Sequence, residues 1–142
     1  MPLSENILQK KLDFLNEQLT KIEGMDFNEF SLENNEDIQD LLTFRLQQAV
    51  ETCIDIATHI IAGLSLKREE TAKDAFLILG RENIITEDLA LRMGKAADFR
   101  NRVVHGYNDF DFSLLYKDYK NDLADLRNFG GEILAFLKNR HN

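Results

Sequence analysis

The longest uninterrupted helical pattern in the chain, over residues 35–64, is the feature that most restricts the fold. Apolar side chains recur there at every third or fourth position, a spacing that places them on one wide face of an α-helix. The residues are Ile38, Leu41, Leu42, Leu46, Ala49, Val50, Cys53, Ile56, Ala57, Ile60 and Leu64, and Gly63 lies near the end of the segment. The only proline is at position 2, so no later residue breaks a helix by lacking a backbone donor. A face of this width needs other helices to cover it.

Four further segments have the same helical spacing. They cover residues from about 4–24, 69–79, 86–105 and 112–137. Ser4 and Thr86 suit helix starts, whereas Gly80 and Gly106 suit helix ends. A polar stretch over residues 27–35 is predicted to be a connector. Since no segment alternates as a strand does, the sequence predicts a single all-α domain over residues 1–142, an antiparallel bundle of about five helices.

Composition excludes several classes of protein. Of the 142 residues, 44% are hydrophobic and 30% are charged, which is usual for a soluble domain. No apolar run approaches the roughly 20 residues that span a bilayer, and the N-terminus does not resemble a signal peptide. The lone Cys53 cannot form an internal disulfide. These observations predict a cytoplasmic protein.

The distribution of charge is uneven. The chain has a net charge of −8, which argues against a broad, sequence-independent nucleic-acid-binding surface. Residues 91–108 reverse this sign, because Arg92, Lys95, Arg100 and Arg102 are opposed only by Asp98. Such a basic island suits a defined anionic ligand or a short nucleic-acid strand, or it is an ordinary fluctuation of surface charge.

The basic island contains the residues that most suggest chemistry, R-N-R-V-V-H-G-Y at positions 100–107. Histidine transfers protons in both directions near neutral pH, and the planar guanidinium of arginine matches phosphate oxygens. Together Arg100 and His105 fit phosphodiester cleavage, with no metal if an RNA 2′-hydroxyl is the nucleophile. The structural alternative is that cations favour the last turn of a helix for dipole reasons alone.

A polar stripe crosses the long helix. Its members, Arg45, Gln48, Thr52, Asp55 and His59, are spaced three and four residues apart. The stripe is either a partly solvated ridge or interface, or it brings Asp55 and His59 to the active cleft as positioning partners. Asp55 and His59 could also offer two metal ligands, but no further His or Cys cluster completes a zinc site.

The spacing Arg100-x4-His105-x-Tyr107 resembles the R-x4-6-H-x-Y signature of HEPN-domain ribonucleases, and the chain is similar to the HepT toxin branch. The likeness extends to the helical layout, to Asn101 after the motif arginine, and to the R-x2-Q-A-V-E-x3-D-I-A-x-H run that ends at His59.

The resemblance implies a homodimeric, metal-independent endoribonuclease toxin without a cofactor, which cuts RNA, transfer RNA among its targets. Arg100 and His105 would be catalytic, and Asn101 would support them. Tyr107 would accept AMP from a MntA-type nucleotidyltransferase antitoxin. Arg102 occupies a variable position of the motif, where a phosphate contact is a fair expectation.

Two other interpretations stay open on the sequence. A non-catalytic HEPN module would bind nucleotides or hold a nucleotidyltransferase partner, and it would not need both Arg100 and His105. A plain helical-bundle interaction protein would make the motif a coincidence.

Overall fold

The computed structural model describes residues 3–104 and 110–141, and all regular structure in these residues is helical. The helices are α1 (Glu5–Glu23), α2 (Glu29–Asn34), α3 (Glu36–Gly63), α4 (Ala72–Arg81), α5 (Glu87–Val104) and α6 (Phe112–Asn139). The prediction of an all-α bundle is therefore confirmed. None of the helices in the described part of the chain is long and apolar enough to cross a membrane.

The prediction of a connector between the first two long helices was wrong, because a short helix, α2, lies there. Its N-cap, Asn28, accepts a hydrogen bond from the backbone of Ser31, and the Ser31 hydroxyl accepts one from the backbone N–H of Asn28. This reciprocal capping box satisfies two backbone donors at the start of the helix. Leu32 of α2 is fully buried and packs this helix against the core.

Two boundaries of α4 also differ from the predicted ones. The helix begins at Ala72 and not near residue 69, because the side chain of Thr71 caps it by accepting from the backbone of Asp74 at 3.0 Å. Gly80 lies inside α4 and does not end it. A Cβ atom at Gly80 would come within 2.8 Å of the Cβ of Ala90, so glycine here permits close packing of α4 on α5.

A single core joins the helices. Phe76 of α4 and Phe129 of α6 are fully buried and meet edge to face, with ring centroids 5.5 Å apart. Leu41, which the helical pattern assigned to the apolar face of the long helix, is instead 42% exposed.

Helix α5 carries the first part of the predicted motif and packs against α3, α4 and α6. Thr86 caps its first turn, as predicted, because the hydroxyl accepts from the backbone of Leu89 at 3.2 Å. The predicted end of this helix, at His105 and Gly106, lies outside the described residues.

Candidate active site

Arg100 occupies the apolar face of α5. It follows the fully buried Met93 by seven residues and Ala97 by three, and these separations bring side chains to the same side of a helix. Its side chain is only 24% exposed. An arginine in a core-facing stripe raises the free energy of the folded state unless its charge has a partner.

The partner of Arg100 is Glu51 on α3. Arg100 Nε lies 3.3 Å from Glu51 Oε1, which is an ion-pair distance. The N–H is not aligned for a hydrogen bond, so Nε is a buried polar atom without an acceptor. The two terminal amino groups of the Arg100 guanidinium are accessible to solvent, unlike Nε. They donate to none of the other described residues. They are therefore free to meet an oxyanion.

Asn101 and Arg102 are exposed on the last turn of α5. The Arg102 guanidinium lies 5.9 Å from the centre of the Phe110 ring, a cation–π arrangement that extends its side chain across the start of α6. Arg102 is thus directed away from Arg100, towards the space between α5 and α6. The two arginines do not form one cationic pair in the described residues.

His105 and Tyr107 lie outside the described residues, which resume at Phe110. His105 follows Val104, the last residue of α5, directly in the chain. The catalytic role of His105 and the acceptor role of Tyr107 stay predictions from the sequence, as do the roles of Arg100, Asn101 and Arg102.

The polar stripe of α3 faces α1. Asp55 is 3.8 Å from the Lys11 ammonium, and His59 Nε2 accepts a 3.4 Å hydrogen bond from the backbone N–H of Ser4. Arg45 donates to the carbonyl oxygen of Lys21 at 3.3 Å. In the described residues these contacts hold α1 on α3, and the suggested contribution of Asp55 and His59 to the active cleft stays a prediction.

Between α5 and α6 lies an open cleft of about 900 Å³, the α5–α6 cleft. Its charged lining residues are Arg92, Lys95 and Arg102, together with Asp98, Asp111, Asp118, Asp122 and Asp125. Arg92 is engaged by the carboxylates of Asp125, at 2.8 Å, and of Asp88. The carboxylates of α6 therefore neutralise part of the basic island, a long-range pairing that the sequence pattern did not indicate.

Asp122 has the most perturbed carboxyl group of the cleft. Burial, and to a smaller extent the neighbouring carboxylates of Asp118 and Asp125, raise the pKa of Asp122 from 3.8 to about 6, although Arg102 opposes the rise. The charged form of Asp122 therefore destabilises the fold at neutral pH.

The Asp122→Asn variant is expected to be more stable than the wild type at pH 7. In the wild type the folded chain holds the Asp122 proton up to about pH 6, whereas the unfolded chain releases it near the ordinary pKa of 3.8. The contribution of Asp122 to the free energy of unfolding therefore falls as pH rises through this window, by about 1–2 kcal/mol given its partial exposure. Urea unfolding at pH 4 and pH 7 measures the difference. Asp26→Asn, at an exposed position, is the control. If both variants changed the free energy of unfolding equally at pH 4 and pH 7, the raised pKa of Asp122 would be contradicted.

Comparison with known proteins identifies the family. The family model described as ribonuclease HepT-like matches residues 8–133. The chain belongs to the HepT-like ribonuclease family. Similar relatives include an mRNA nuclease HepT of Shewanella oneidensis, 32% identical over 98 residues that cover 69% of this chain and 74% of that protein. A tRNA nuclease HepT of Aphanizomenon flos-aquae is 33% identical over 109 residues, which cover 74% of this chain and 72% of the relative.

A solved structure shares the fold of this HepT-like chain. It is a tri-AMPylated HEPN toxin from Shewanella oneidensis in complex with an MNT antitoxin, with a TM-score of 0.86 and 26% sequence identity. The match covers 93% of this chain and 99% of that one. The resemblance to the HepT branch is thereby confirmed at the level of family and fold.

Proposed function

We propose that this HepT-like chain is the toxin of a toxin–antitoxin pair and cuts RNA internally without a metal ion. The observation that carries the proposal is an intact R-x4-H-x-Y motif, Arg100 to Tyr107, in a member of a ribonuclease family. The position of Arg100 supports it, since a half-buried guanidinium with free terminal amino groups suits a phosphate.

The chemistry requires only an RNA 2′-hydroxyl, a proton carrier and a cation. His105 accepts the proton of the 2′-hydroxyl as this oxygen attacks the adjacent phosphorus, and the imidazolium then donates this proton to the leaving 5′ oxygen. The P–O5′ bond breaks and a 2′,3′-cyclic phosphate remains. Arg100 stabilises the charge that develops on the phosphate oxygens. Asn101 supports this pair, and Arg102 contacts a neighbouring phosphate.

The substrate class is RNA, with transfer RNA as the first candidate. Relatives named for mRNA and for tRNA cleavage both resemble the chain, so the two classes are to be assayed in parallel. An RNA substrate also fits a cytoplasmic location.

The chain is further proposed to act as a homodimer. Two copies that bring their Arg100 regions together would double the local positive field, while the net charge of −8 discourages indiscriminate RNA binding. A shared cleft would also place two imidazoles beside one phosphate.

The antitoxin that inhibits this toxin is proposed to be a MntA-type nucleotidyltransferase, which transfers AMP to Tyr107. The AMPylated toxin bound to an MNT antitoxin in the solved structure supports this partner. AMP on the tyrosine oxygen adds negative charge and bulk close to His105 in sequence, so it would repel and displace the RNA phosphate.

Co-expression with a MntA-type nucleotidyltransferase tests both parts of the proposal. Protein purified alone is expected to cleave RNA in the presence of EDTA. Protein from co-expression is expected to gain mass in whole AMP units and to lose that cleavage. Intact-mass spectrometry and a gel assay on the same samples provide the measurement.

The control is the Tyr107→Phe variant, which should gain no AMP at this position and should stay active after co-expression. Tyr119→Phe, at a buried ring in α6, should be modified as the wild type is. An AMP unit retained in Tyr107→Phe, or cleavage that EDTA abolishes, would contradict the proposal.

A further inference from the structure

Glu51 lies outside the R-x4-H-x-Y motif, yet it contacts the motif arginine directly. The two residues are brought together from α3 and α5, with Arg100 Nε 3.3 Å from Glu51 Oε1. We propose that Glu51 is a positioning residue, which holds the Arg100 guanidinium in the orientation that receives the scissile phosphate. The inference rests on the proposed function of Arg100.

The Arg100 guanidinium needs an anchor to keep one orientation. Arginine has a long side chain with many rotamers, and an unanchored guanidinium would sample many orientations. Arg100 leaves α5 on its apolar face, where no hydroxyl or carbonyl of the described residues accepts its Nε–H. The Glu51 carboxylate is the charged group within reach.

The guanidinium of Arg100 has two edges, and Glu51 lies at only one of them. Glu51 lies at Nε, so the two terminal amino groups keep their donors for a ligand. Two parallel N–H donors at that end match two oxygens of a phosphate. The last torsion of a glutamate side chain is broad, and a rotation of the carboxylate supplies the straight hydrogen bond that Nε lacks. The contact therefore orients the arginine and leaves its two terminal amino groups available for a phosphate.

Two lysines of α1 lie close enough to be considered as competitors for Glu51. Glu51 is one of the residues that line a small cleft between α1 and α3, together with Lys10 and Lys11. Lys11 is paired with Asp55, one turn further along α3. Within the described residues Glu51 makes its ion pair with Arg100 alone. Its carboxylate therefore pairs with the motif arginine and not with a lysine of α1.

A positioning role affects kcat and KM differently. Glu51 is an anion near the site of another anion, the RNA phosphate, so its removal does not weaken the initial attraction of RNA. Its removal does release the guanidinium from the productive orientation, and misplacement of a catalytic group by about 1 Å costs on the order of 100-fold. The expected signature is a lower kcat with an unchanged or lower KM.

The test is a steady-state assay of RNA cleavage by the wild type, Glu51→Gln, Arg100→Ala and the double variant. Glutamine keeps the shape of the side chain and removes its charge. Glu51→Gln is expected to lower kcat by about 10-fold to 100-fold in the wild-type background. In the Arg100→Ala background it should change kcat less than about 2-fold, because the group that Glu51 positions is absent.

The matched control is Glu23→Gln, which removes the same charge from another Glu–Arg pair, the one with Arg127. This control should keep the wild-type kcat. A Glu51→Gln effect of equal size in both backgrounds, or a rise in KM alone, would overturn the inference. An increase in kcat would also overturn it, because Glu51 would then restrain the enzyme.

An NMR measurement on the same variants separates this inference from the proposed function. The Arg100 Nε–H signal, assigned by its loss in Arg100→Ala, should exchange slowly with solvent in the wild type and fast in Glu51→Gln. If the wild type cuts no RNA, the proposed function fails, and this exchange difference still supports the orientation of Arg100 by Glu51. Equal exchange in the two proteins overturns the inference whatever the cleavage result.

Discussion

The His105→Ala variant is expected to cleave RNA about 100-fold to 10,000-fold more slowly than the wild type, the range by which a positioned general acid–base group accelerates a reaction. Histidine is the side chain whose unperturbed pKa permits proton transfer in both directions near neutral pH. In the chain, His105 directly follows Val104, the last described residue of α5. The initial rate on one labelled RNA, with equal amounts of folded protein, measures the loss.

The control for His105 is a second histidine that the proposed chemistry does not use. His141, at the end of the chain, lies 2.8 Å from the Glu5 carboxylate and is exposed. His141→Ala should keep the wild-type rate. Equal losses in the two variants would show that the rate follows a general property of the fold and not the motif histidine.

The Phe129→Ala variant is expected to lower the free energy of unfolding by about 3–5 kcal/mol. The Phe129 ring is fully buried and packs edge to face on Phe76, so truncation removes apolar burial and leaves a cavity between α4 and α6. Since small domains are stable by only about 5–15 kcal/mol, a large part of the total would be lost. Urea unfolding followed by circular dichroism measures the change.

The control for Phe129 is Phe30, whose side chain is 74% exposed on α2. Phe30→Ala should change the free energy of unfolding by less than about 0.5 kcal/mol. Both variants should be compared at several protein concentrations, because a homodimer that unfolds to monomers becomes more stable as concentration rises. A Phe129→Ala variant as stable as Phe30→Ala would contradict the described core.

The long helices could be predicted because their stability comes from wide apolar faces with a regular spacing. The six-residue α2 could not, since so short a segment has no measurable period. Its capping box, Asn28 with Ser31, was nevertheless visible in the sequence as a pair three residues apart. The start of α4 was placed too early, near residue 69, because the cap that Thr71 supplies was not recognised.

The candidate site was predictable only where it is local in the chain. The motif residues lie within eight positions, so their spacing carried the interpretation. Glu51 is 49 positions from Arg100, and its contact depends on how α3 crosses α5. Two signals pointed to such a partner. Glu51 is the glutamate of the R-x2-Q-A-V-E-x3-D-I-A-x-H run, and Arg100 lies in the apolar stripe with Met93 and Ala97, where a charge needs compensation. The neutralisation of Arg92 by Asp125 of α6 was equally non-local.

Arg100 and His105 are proposed to form one reaction centre for RNA cleavage. The most direct measurement is the single-turnover cleavage rate of one RNA, in EDTA, by the unmodified wild type, Arg100→Ala, His105→Ala and the double variant. Residues that act as a unit lose activity non-additively, so the double variant should be no more than about 10-fold slower than His105→Ala, and both should be far slower than the wild type. A wild type that cleaves no faster than the double variant would contradict the account.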